Sequence, residues 1–315
     1  MNREVLSQYD VMTVGEAFGV WPSESASFVA DHRHELNMIF HFDIVRIDRD
    51  GWRVTSWTLP QLKTLYSKFD SEAGKDSWNT VFLGNHDTPR AVSHFGDDSP
   101  RYRAASAKAL AMMMLTQKGT PFIYQGEELG MTNYPFEAID DYEDIEAKGG
   151  WKERVLSKQV SPEDYLTNLR QMSRDNARTP MQWDGSANSG FTTASKPWLA
   201  VNPNYREINA EQQITDQTSV YNFYCKLLEL RKRTPALVYG DYRDIDPSHP
   251  SVFAYTRSLG SEKYLVVLNF SQRTLIYKLP QNLQAKRQLL DNLGLVEENA
   301  DCLHLEGWEA RLYAL

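Results

Sequence analysis

The sequence is poor in cysteine, contains no long apolar run and has no excess of basic residues. Its two cysteines, Cys225 and Cys302, follow neither the spacing of metal ligands nor a disulfide framework. No stretch has the apolar length of a membrane-spanning helix, and no signal-peptide pattern is visible. The net charge of −8, from 34 basic and 42 acidic residues, argues against binding to nucleic acid or to an anionic membrane. Cys225 lies in a helical pattern, and we expect it to be a small buried residue.

The rest of the composition is typical of a soluble globular protein. Hydrophobic residues make up 41% of the chain and charged residues 24%. A length of 315 residues is enough for one large domain and a smaller one. The aromatic content of 12% suits stacking on sugars, although core packing is the more common use of aromatic side chains.

Short apolar segments that end in polar side chains recur along the first part of the chain, and helical patterns separate them. The strand candidates are residues 11–16, 35–43, 81–87 and 119–128, and the helix candidates are residues 58–69, 102–117 and 219–233. This alternation predicts an α/β fold with a parallel sheet. Because ligands bind at the carboxyl ends of parallel strands, Glu16, His86 and Asp87 are candidate site residues.

Residues 131–206 interrupt this alternation with polar sequence that contains Asn, Pro and Trp. A segment of that length is normally functional or carries small elements of its own. After Pro235 the pattern changes to short strands separated by turn residues, at 252–256, 264–270 and 275–279. Such strands predict an antiparallel β domain at the end of the chain. We therefore expect a first domain at residues 1–236, with an insertion at 131–206, and a second domain at 237–315.

Three motifs in the chain are specific enough to indicate a family. They are Val14-Gly15-Glu16, Gly84-Asn85-His86-Asp87 and Arg174-Asp175-Asn176-Ala177-Arg178-Thr179-Pro180-Met181-Gln182-Trp183-Asp184. They resemble glycoside hydrolase family 13, and more narrowly its oligo-1,6-glucosidase and sucrose isomerase branch. Segments 91–98, 119–133 and 197–205 are similar to the same branch, and the resemblance runs from residue 1 to 315. It implies an α/β fold made of the second half of a (β/α)8 TIM barrel followed by a C-terminal antiparallel β-sandwich domain.

The resemblance also implies roles for individual residues. Glu16 matches the general acid/base of the family, and Asp87 matches the carboxylate that binds the distorted sugar and stabilises the transition state. His86 matches the residue that binds hydroxyls of the same glucose. Arg174 is our first choice for the arginine beside that glucose, with Arg178 as the second. The two acids make chemical sense, because glycoside cleavage needs an acid that protonates the leaving oxygen and a carboxylate near the oxocarbenium ion.

One essential part of the family pattern is missing. A retaining glycosidase needs a carboxylate nucleophile, which in this family is an Asp in an Arg-x-Asp setting on the strand before the acid/base strand. Only ten residues precede Val11, so that strand is absent. Arg46-Ile47-Asp48 looks superficially like the motif, but it follows Glu16 and lies in a loop. The resemblance thus implies the C-terminal part of a family member, and we expect the isolated chain to be inactive.

Several features match the sucrose isomerases of the branch. Two phenylalanines match the aromatic pair that holds the sugars in those enzymes, and the charged loop Arg46-Ile47-Asp48-Arg49-Asp50 resembles their product-determining loop with Ile in place of Leu. The candidate substrate-binding residues from these features are Phe18, Phe42, Arg46 and Arg49. Core packing is the alternative role for each phenylalanine.

Other positions conflict on specificity. His94 follows the isomerase pattern, whereas Glu127 and Met181 follow the hydrolase pattern. Hydrolases closely related to the isomerases can share the charged loop, so we favour hydrolysis.

The resemblance implies an α-glucosidase that hydrolyses α-glucosidic bonds of short oligosaccharides or sucrose-type disaccharides by a retaining mechanism. One alternative is a sucrose isomerase that makes isomaltulose or trehalulose, and another is an inactive sugar-binding subunit or one part of a split enzyme. Retention of Glu16 and Asp87 argues against loss of the chemistry. The expected partners are a small oligosaccharide or disaccharide and either the missing N-terminal half or a second copy of the chain. No cofactor, metal, nucleic acid or membrane is expected, and the expected location is the cytoplasm, with the periplasm as the alternative.

Overall fold

The first part of the chain alternates short strands with helices. A computed structural model describes residues 2–72, 77–294 and 301–315. The elements up to residue 121 are β1 (Val14–Glu16), α1 (Ala26–Val29), β2 (Met38–Phe40), β3 (Arg49–Asp50), β4 (Arg53–Val54), α2 (Leu59–Glu72), β5 (Thr80–Val81), α3 (Ala91–Phe95), α4 (Arg103–Leu115) and β6 (Thr120–Pro121). The strand candidates at 11–16, 35–43, 81–87 and 119–128 correspond to β1, β2, β5 and β6. The four expected strands are thus confirmed, and each is shorter than its candidate segment.

These strands form two parallel pairs, β1 with β2 and β5 with β6. The pairs meet where the Thr80 hydroxyl donates to the Ile39 carbonyl over 2.9 Å. Just before the first paired residue, Val14, the Thr13 amide donates to Asn37 Oδ1 over 2.8 Å. The carboxyl ends of the strands therefore face one side of the molecule.

The helices over these strands are held by apolar packing and by caps. The C-terminal half of α4 is buried all round, from Ala109 to Leu115, as its Ala, Met and Leu content predicts. The residues from 122 onwards add α5 (Ile145–Gly150), α6 (Pro162–Met172), α7 (Asp175–Arg178), α8 (Ala210–Thr215), α9 (Val220–Arg233) and α10 (Pro235–Tyr239). Ser219 caps α9 by accepting from the Asn222 amide over 3.1 Å. Short 3-10 turns connect many of these elements, and a π-helical turn, Trp151–Val155, continues α5.

The insertion at 131–206 has a core of its own. Aromatic and aliphatic side chains from the loop before α5, from the π-helical turn and from α6 pack together, among them Phe136, Tyr142, Val155, Tyr165 and Leu169. The segment is thus a compact layer that carries small elements, one of the two forms expected of an insertion this long.

The end of the chain forms two antiparallel sheets. Their strands are β7 (Asp241–Asp244), β8 (Val252–Leu259), β9 (Glu262–Asn269), β10 (Leu275–Lys278), β11 (Arg287–Asp291), β12 (Cys302–Leu305) and β13 (Ala310–Ala314). The larger sheet has the order β11-β13-β9-β8-β7, and β10 pairs with β12. Successive side chains of β8 lie on opposite faces of the larger sheet. Val252 and Ala254 pack toward β10 and β12, whereas Phe253 and Tyr255 pack toward α2 and α4. The expected antiparallel β domain is confirmed, whereas the boundary after residue 236, which falls inside α10, stays a prediction.

Cys225 corrects one expectation. It lies on α9 but is exposed, because the buried stripe of this helix passes through Phe223, Leu227 and Arg231 and leaves position 225 on the outer face. Both cysteines are free thiols. Within the described residues, no helix combines the length and apolar character needed to cross a membrane.

Candidate active site

The two candidate acids line the same cleft at the carboxyl ends of the strands. Glu16 is the last residue of β1, and Asp87 lies in the turn that follows β5. Both border a cleft of about 800 Å³. Glu16 is exposed, and its carboxylate has no hydrogen-bonding or ionic partner among the described residues. The positions at the strand ends predict that Glu16, His86 and Asp87 converge on one cleft, and the two acids border it.

A compact polar turn holds Asp87. The Asn85 side chain accepts from the Asp87 amide over 2.8 Å, and the Thr88 hydroxyl accepts from the Asn85 amide over 2.9 Å. The Arg178 guanidinium donates to the Asp87 carboxylate and also, over 2.8 Å, to the His86 carbonyl. His86 is largely exposed and does not line the cleft, but its Nε2 lies 3.6 Å from Asp87 Oδ2.

Arg174 reaches the same carboxylate less directly. Its Nη1 lies 3.7 Å from Asp87 Oδ1, while its Nε donates to Asp144 Oδ2 over 2.9 Å and its Nη2 to Asp144 Oδ1 over 2.5 Å. The hydrogen bonds to Asp144 raise the pKa of Arg174. Burial alone would raise the pKa of Asp144, but the bonds from Arg174 and from the Glu146 amide outweigh it and lower that pKa. Arg178, the second choice from sequence, therefore has the more direct bond to Asp87.

The opposite wall carries the aromatic pair and the charged loop. The rings of Phe18 and Phe42 lie edge to face, with centroids 5.9 Å apart. The Arg46 guanidinium lies 4.9 Å from the centroid of the Phe18 ring. Arg49 donates to the Met172 carbonyl over 2.9 Å and so joins the loop to the end of α6. All four candidate residues of this wall line the cleft.

The Arg-x-Asp sequence in the loop does not present its aspartate to the cleft. Asp48 is buried and does not line the cleft, and its Oδ2 bonds His94 Nε2 over 2.9 Å. Burial alone would raise the pKa of Asp48, but the His94 bond and the nearby Arg49 charge lower it. His94, selected from sequence only as a marker of specificity, is thus a structural partner of this loop.

No sequence motif identified the residues that the insertion contributes to the cleft. Charged residues of this wall are Asp144, Glu146, Glu153 and Arg154. Asp144 also caps α5 by accepting from the Glu146 amide over 3.0 Å. The Asp-Ile-Glu order before this helix is a capping signal that could have located the helix start, but no local pattern reveals the bond to Arg174. Among the described residues, no group of three or more His, Cys, Asp or Glu side chains is arranged to hold a metal ion.

Comparison with known families identifies the family to which this chain belongs. The catalytic domain of alpha amylase matches residues 1–240, and the C-terminal domain of the alpha-amylase SusG matches residues 252–311. The chain belongs to the alpha-amylase family. Its first part is the alpha-amylase catalytic domain, and a C-terminal domain follows.

Relatives in this family include glucosidases and isomerases. The chain is 46% identical to the oligo-1,6-glucosidase of Parageobacillus thermoglucosidasius and 43% identical to that of Bacillus cereus, in each case over 100% of this chain and 57% of the relative. Among solved structures, isomaltulose synthase from Klebsiella sp. LX3 superposes with a TM-score of 0.97 at 52% identity. An isomaltulose synthase mutant from Erwinia rhapontici NX5 in complex with sucrose gives a TM-score of 0.96 at 52% identity. Each superposition covers 99% of this chain and 57% of the other, so the chain spans little more than half the length of these relatives.

Proposed function

We propose that this chain supplies the acid/base and sugar-binding residues of a retaining α-glucosidase of the oligo-1,6-glucosidase type. The observation that carries the proposal is the convergence of Glu16 and Asp87 on one cleft, with Arg178 bonded to Asp87. The substrate class is short α-glucosides, including sucrose-type disaccharides. The glucosidase names of the relatives at 42–46% identity support hydrolysis.

The geometry suits a division of labour between the two acids. Glu16, exposed at the end of β1, protonates the leaving glycosidic oxygen and later activates water. Asp87, held by Arg178 and approached by Arg174, stabilises the positive charge that develops on the sugar ring. His86 lies beside Asp87 and binds hydroxyls of the same glucose.

We further propose that residues 1–236 are the second half of a (β/α)8 barrel, with 131–206 layered over its carboxyl end, and that residues 237–315 are the C-terminal β-sandwich domain. The two parallel strand pairs support this arrangement. On this proposal, the nucleophile and the first half of the barrel come from a polypeptide segment that pairs with the free edge of β1, and a second copy of the chain is the competing occupant of that edge.

Complementation tests the proposal. The chain is assayed on p-nitrophenyl α-glucoside alone and after co-refolding with the portion of the Parageobacillus oligo-1,6-glucosidase that it does not match. We expect no turnover by the chain alone, turnover by the mixture, and no turnover by a mixture that contains Glu16→Gln. A folded mixture that binds glucose but never cleaves the glucoside would indicate an inactive sugar-binding subunit instead.

Sucrose isomerisation is the second candidate, and the Phe18–Phe42 pair favours it. Two aromatic faces near Arg46 can retain the leaving sugar long enough for transfer to a new hydroxyl. If the complemented enzyme isomerises sucrose, Phe18→Ala and Phe42→Ala should shift its products toward free glucose. Release of only glucose and fructose from sucrose by the unmodified protein would favour the hydrolase.

A further inference from the structure

Arg90 is a buried arginine behind the candidate active site, and its guanidinium joins three separate segments. The side chain is 2% exposed. Its Nη1 donates to the Gln125 carbonyl over 2.7 Å, and its Nε donates to the Asn176 carbonyl over 3.0 Å. Its Nη2 lies 3.2 Å from the Thr179 hydroxyl, which accepts from it. Burial lowers the pKa of Arg90 to about 10, so the group remains charged at neutral pH.

The segments that Arg90 joins are those that carry the site. Arg90 itself ends the turn that begins at Asn85 and contains Asp87. Asn176 and Thr179 lie on either side of Arg178, the residue that bonds the Asp87 carboxylate and the His86 carbonyl. Arg178 therefore bonds the turn that carries Asp87, and the buried Arg90 joins the same turn to the residues on either side of Arg178.

The surrounding backbone is shaped to admit this guanidinium. Gly126 has a φ of +93°, and a Cβ at that position would lie 2.8 Å from Arg90 Nη1. Only glycine meets both conditions without strain. The Tyr124 hydroxyl donates to the Ala177 carbonyl over 3.1 Å, so a second side chain from the same loop supports the helical turn that bears Arg178.

We propose that Arg90 is a positioning residue that sets the placement of Arg178 against Asp87, and that it does not touch substrate itself. The guanidinium is suited to this task because its planar fork bonds several carbonyls at fixed angles. Lysine at position 90 can keep the charge, but it cannot reproduce the fork. The part of the proposal that concerns sugar affinity rests on the proposed function, because it assumes that the cleft binds a glucose unit.

Arg231 provides a matched control. It is also buried, at 5% exposure, and within the described part of the chain its guanidinium bonds only backbone carbonyls, those of Leu115, Gln117, Gly119 and Leu237. It does not line the cleft. The test compares the wild-type chain, Arg90→Lys and Arg231→Lys in two measurements. One is the hydrogen-exchange rate of the Arg178 Nε–H group by NMR, and the other is the binding of 1-deoxynojirimycin, an iminosugar with the hydroxyl pattern of glucose.

We expect Arg90→Lys to speed exchange at Arg178 and to weaken iminosugar binding, each by about tenfold. Arg231→Lys should lose comparable thermal stability but leave both measurements at wild-type values. If Arg90→Lys does not fold, Thr179→Val, which removes one acceptor of the Arg90 guanidinium at nearly constant shape, should move both measurements in the same direction by a smaller factor.

The proposal is overturned if the two lysine variants affect Arg178 equally, or if Arg90→Lys leaves its exchange unchanged. If the wild-type chain binds no iminosugar, the sugar site of the proposed function is wrong for this chain. The exchange rate at Arg178 then decides the role of Arg90 by itself.

Discussion

Glu127 is a carboxyl group buried directly behind the turn that carries Asp87. Its Oε2 accepts from the Tyr124 amide over 3.1 Å, and a Cβ at Gly84 would lie 3.1 Å from its Oε1. Burial raises the pKa of Glu127 to about 8, and the neighbouring Glu128 adds to the effect, while the Tyr124 amide and the Arg90 charge oppose it. The Glu127 carboxyl therefore stays mainly protonated at neutral pH. It adds no negative charge next to the hydrogen bonds that Arg90 and Arg178 make.

This burial predicts a pH-dependent loss of stability. In the unfolded chain Glu127 ionises near its ordinary pKa of 4.5, whereas in the folded chain it keeps its proton until about pH 8. Its contribution to stability is complete below pH 4.5 and is lost as the pH rises through 8. Between pH 5 and pH 8.5 the wild type should lose roughly 3 kcal/mol more unfolding free energy than Glu127→Gln.

Urea unfolding across this pH range measures the difference, and Glu163→Gln is the control. Glu163 is an exposed acid whose pKa is lowered by its bond to Arg170. Glu163 therefore changes the pH dependence of the unfolding free energy only below pH 4.5. Between pH 5 and pH 8.5 the unfolding free energy of Glu163→Gln should fall with the same slope as that of the wild type. Parallel curves for the wild type and Glu127→Gln would show that the Glu127 carboxyl is ionised in the folded state.

The choice between the two site arginines shows where sequence reasoning stops at the residue scale. Arg174 and Arg178 stand four positions apart in one motif, so both face the same side of a short helical turn. The sequence places both near the site, but the bond between Arg174 and Asp144 joins residues 30 positions apart. No local pattern encodes such a contact, and this contact determines which guanidinium is left closest to Asp87.

At the scale of elements, α2 is fastened to the β domain by a buried lysine. Lys63 is fully buried, and its ammonium donates to the Asp246 carbonyl over 2.8 Å and to the His249 carbonyl over 3.0 Å. Both carbonyls lie in the connection between β7 and β8. A lysine ammonium has three N–H donors at the end of a flexible side chain. It can therefore bond carbonyls of a neighbouring domain that the backbone of the helix does not reach.

Removal of this ammonium should loosen the contact between the two parts of the chain. Lys63→Met keeps the apolar stem but removes the buried ammonium that donates to two partly buried carbonyls, and we expect a loss of about 2 kcal/mol of unfolding free energy. Lys68→Met, on the exposed side of the same helix, should change stability by no more than about 0.5 kcal/mol. Thermal unfolding followed by circular dichroism gives both values, and equal effects at the two positions would contradict this role for Lys63.

The elements that the sequence predicted correctly are those with a strong period of their own. The helical patterns at 58–69, 102–117 and 219–233 became α2, α4 and α9 with ends displaced by at most three residues. The strands were harder to delimit, because an apolar run does not show how many residues find a partner. Only Val14–Glu16 of the segment 11–16 pairs with a neighbour, and β11 to β13 escaped prediction because their partners are distant in sequence.

At the scale of the whole molecule, exposed apolar side chains precede the first strand and continue to its first residue. Tyr9, Val11, Met12 and Val14 are 65%, 49%, 63% and 37% exposed. Val14 lies in β1, which among the described residues pairs only with β2. An unpaired strand edge with apolar side chains is a template for another strand. The chain also covers only 57% of the relatives to which it is most directly compared, which fits the proposal that the edge of β1 receives a further polypeptide segment.

This edge predicts that the chain on its own associates through β1. A lysine in an edge strand opposes pairing, because its charge would have to be desolvated at the new interface. Val14→Lys should therefore shift the protein toward the monomer in sedimentation velocity and raise the concentration at which it aggregates. Leu156→Lys is the control, since Leu156 is 66% exposed but lies in the turn after the π-helical segment and not in a strand. If Leu156→Lys disperses the protein as well as Val14→Lys does, general surface charge and not the β1 edge governs association. If the wild-type chain is monomeric at all concentrations tested, the edge is not a pairing surface, and the proposed docking of a barrel half at β1 loses its support.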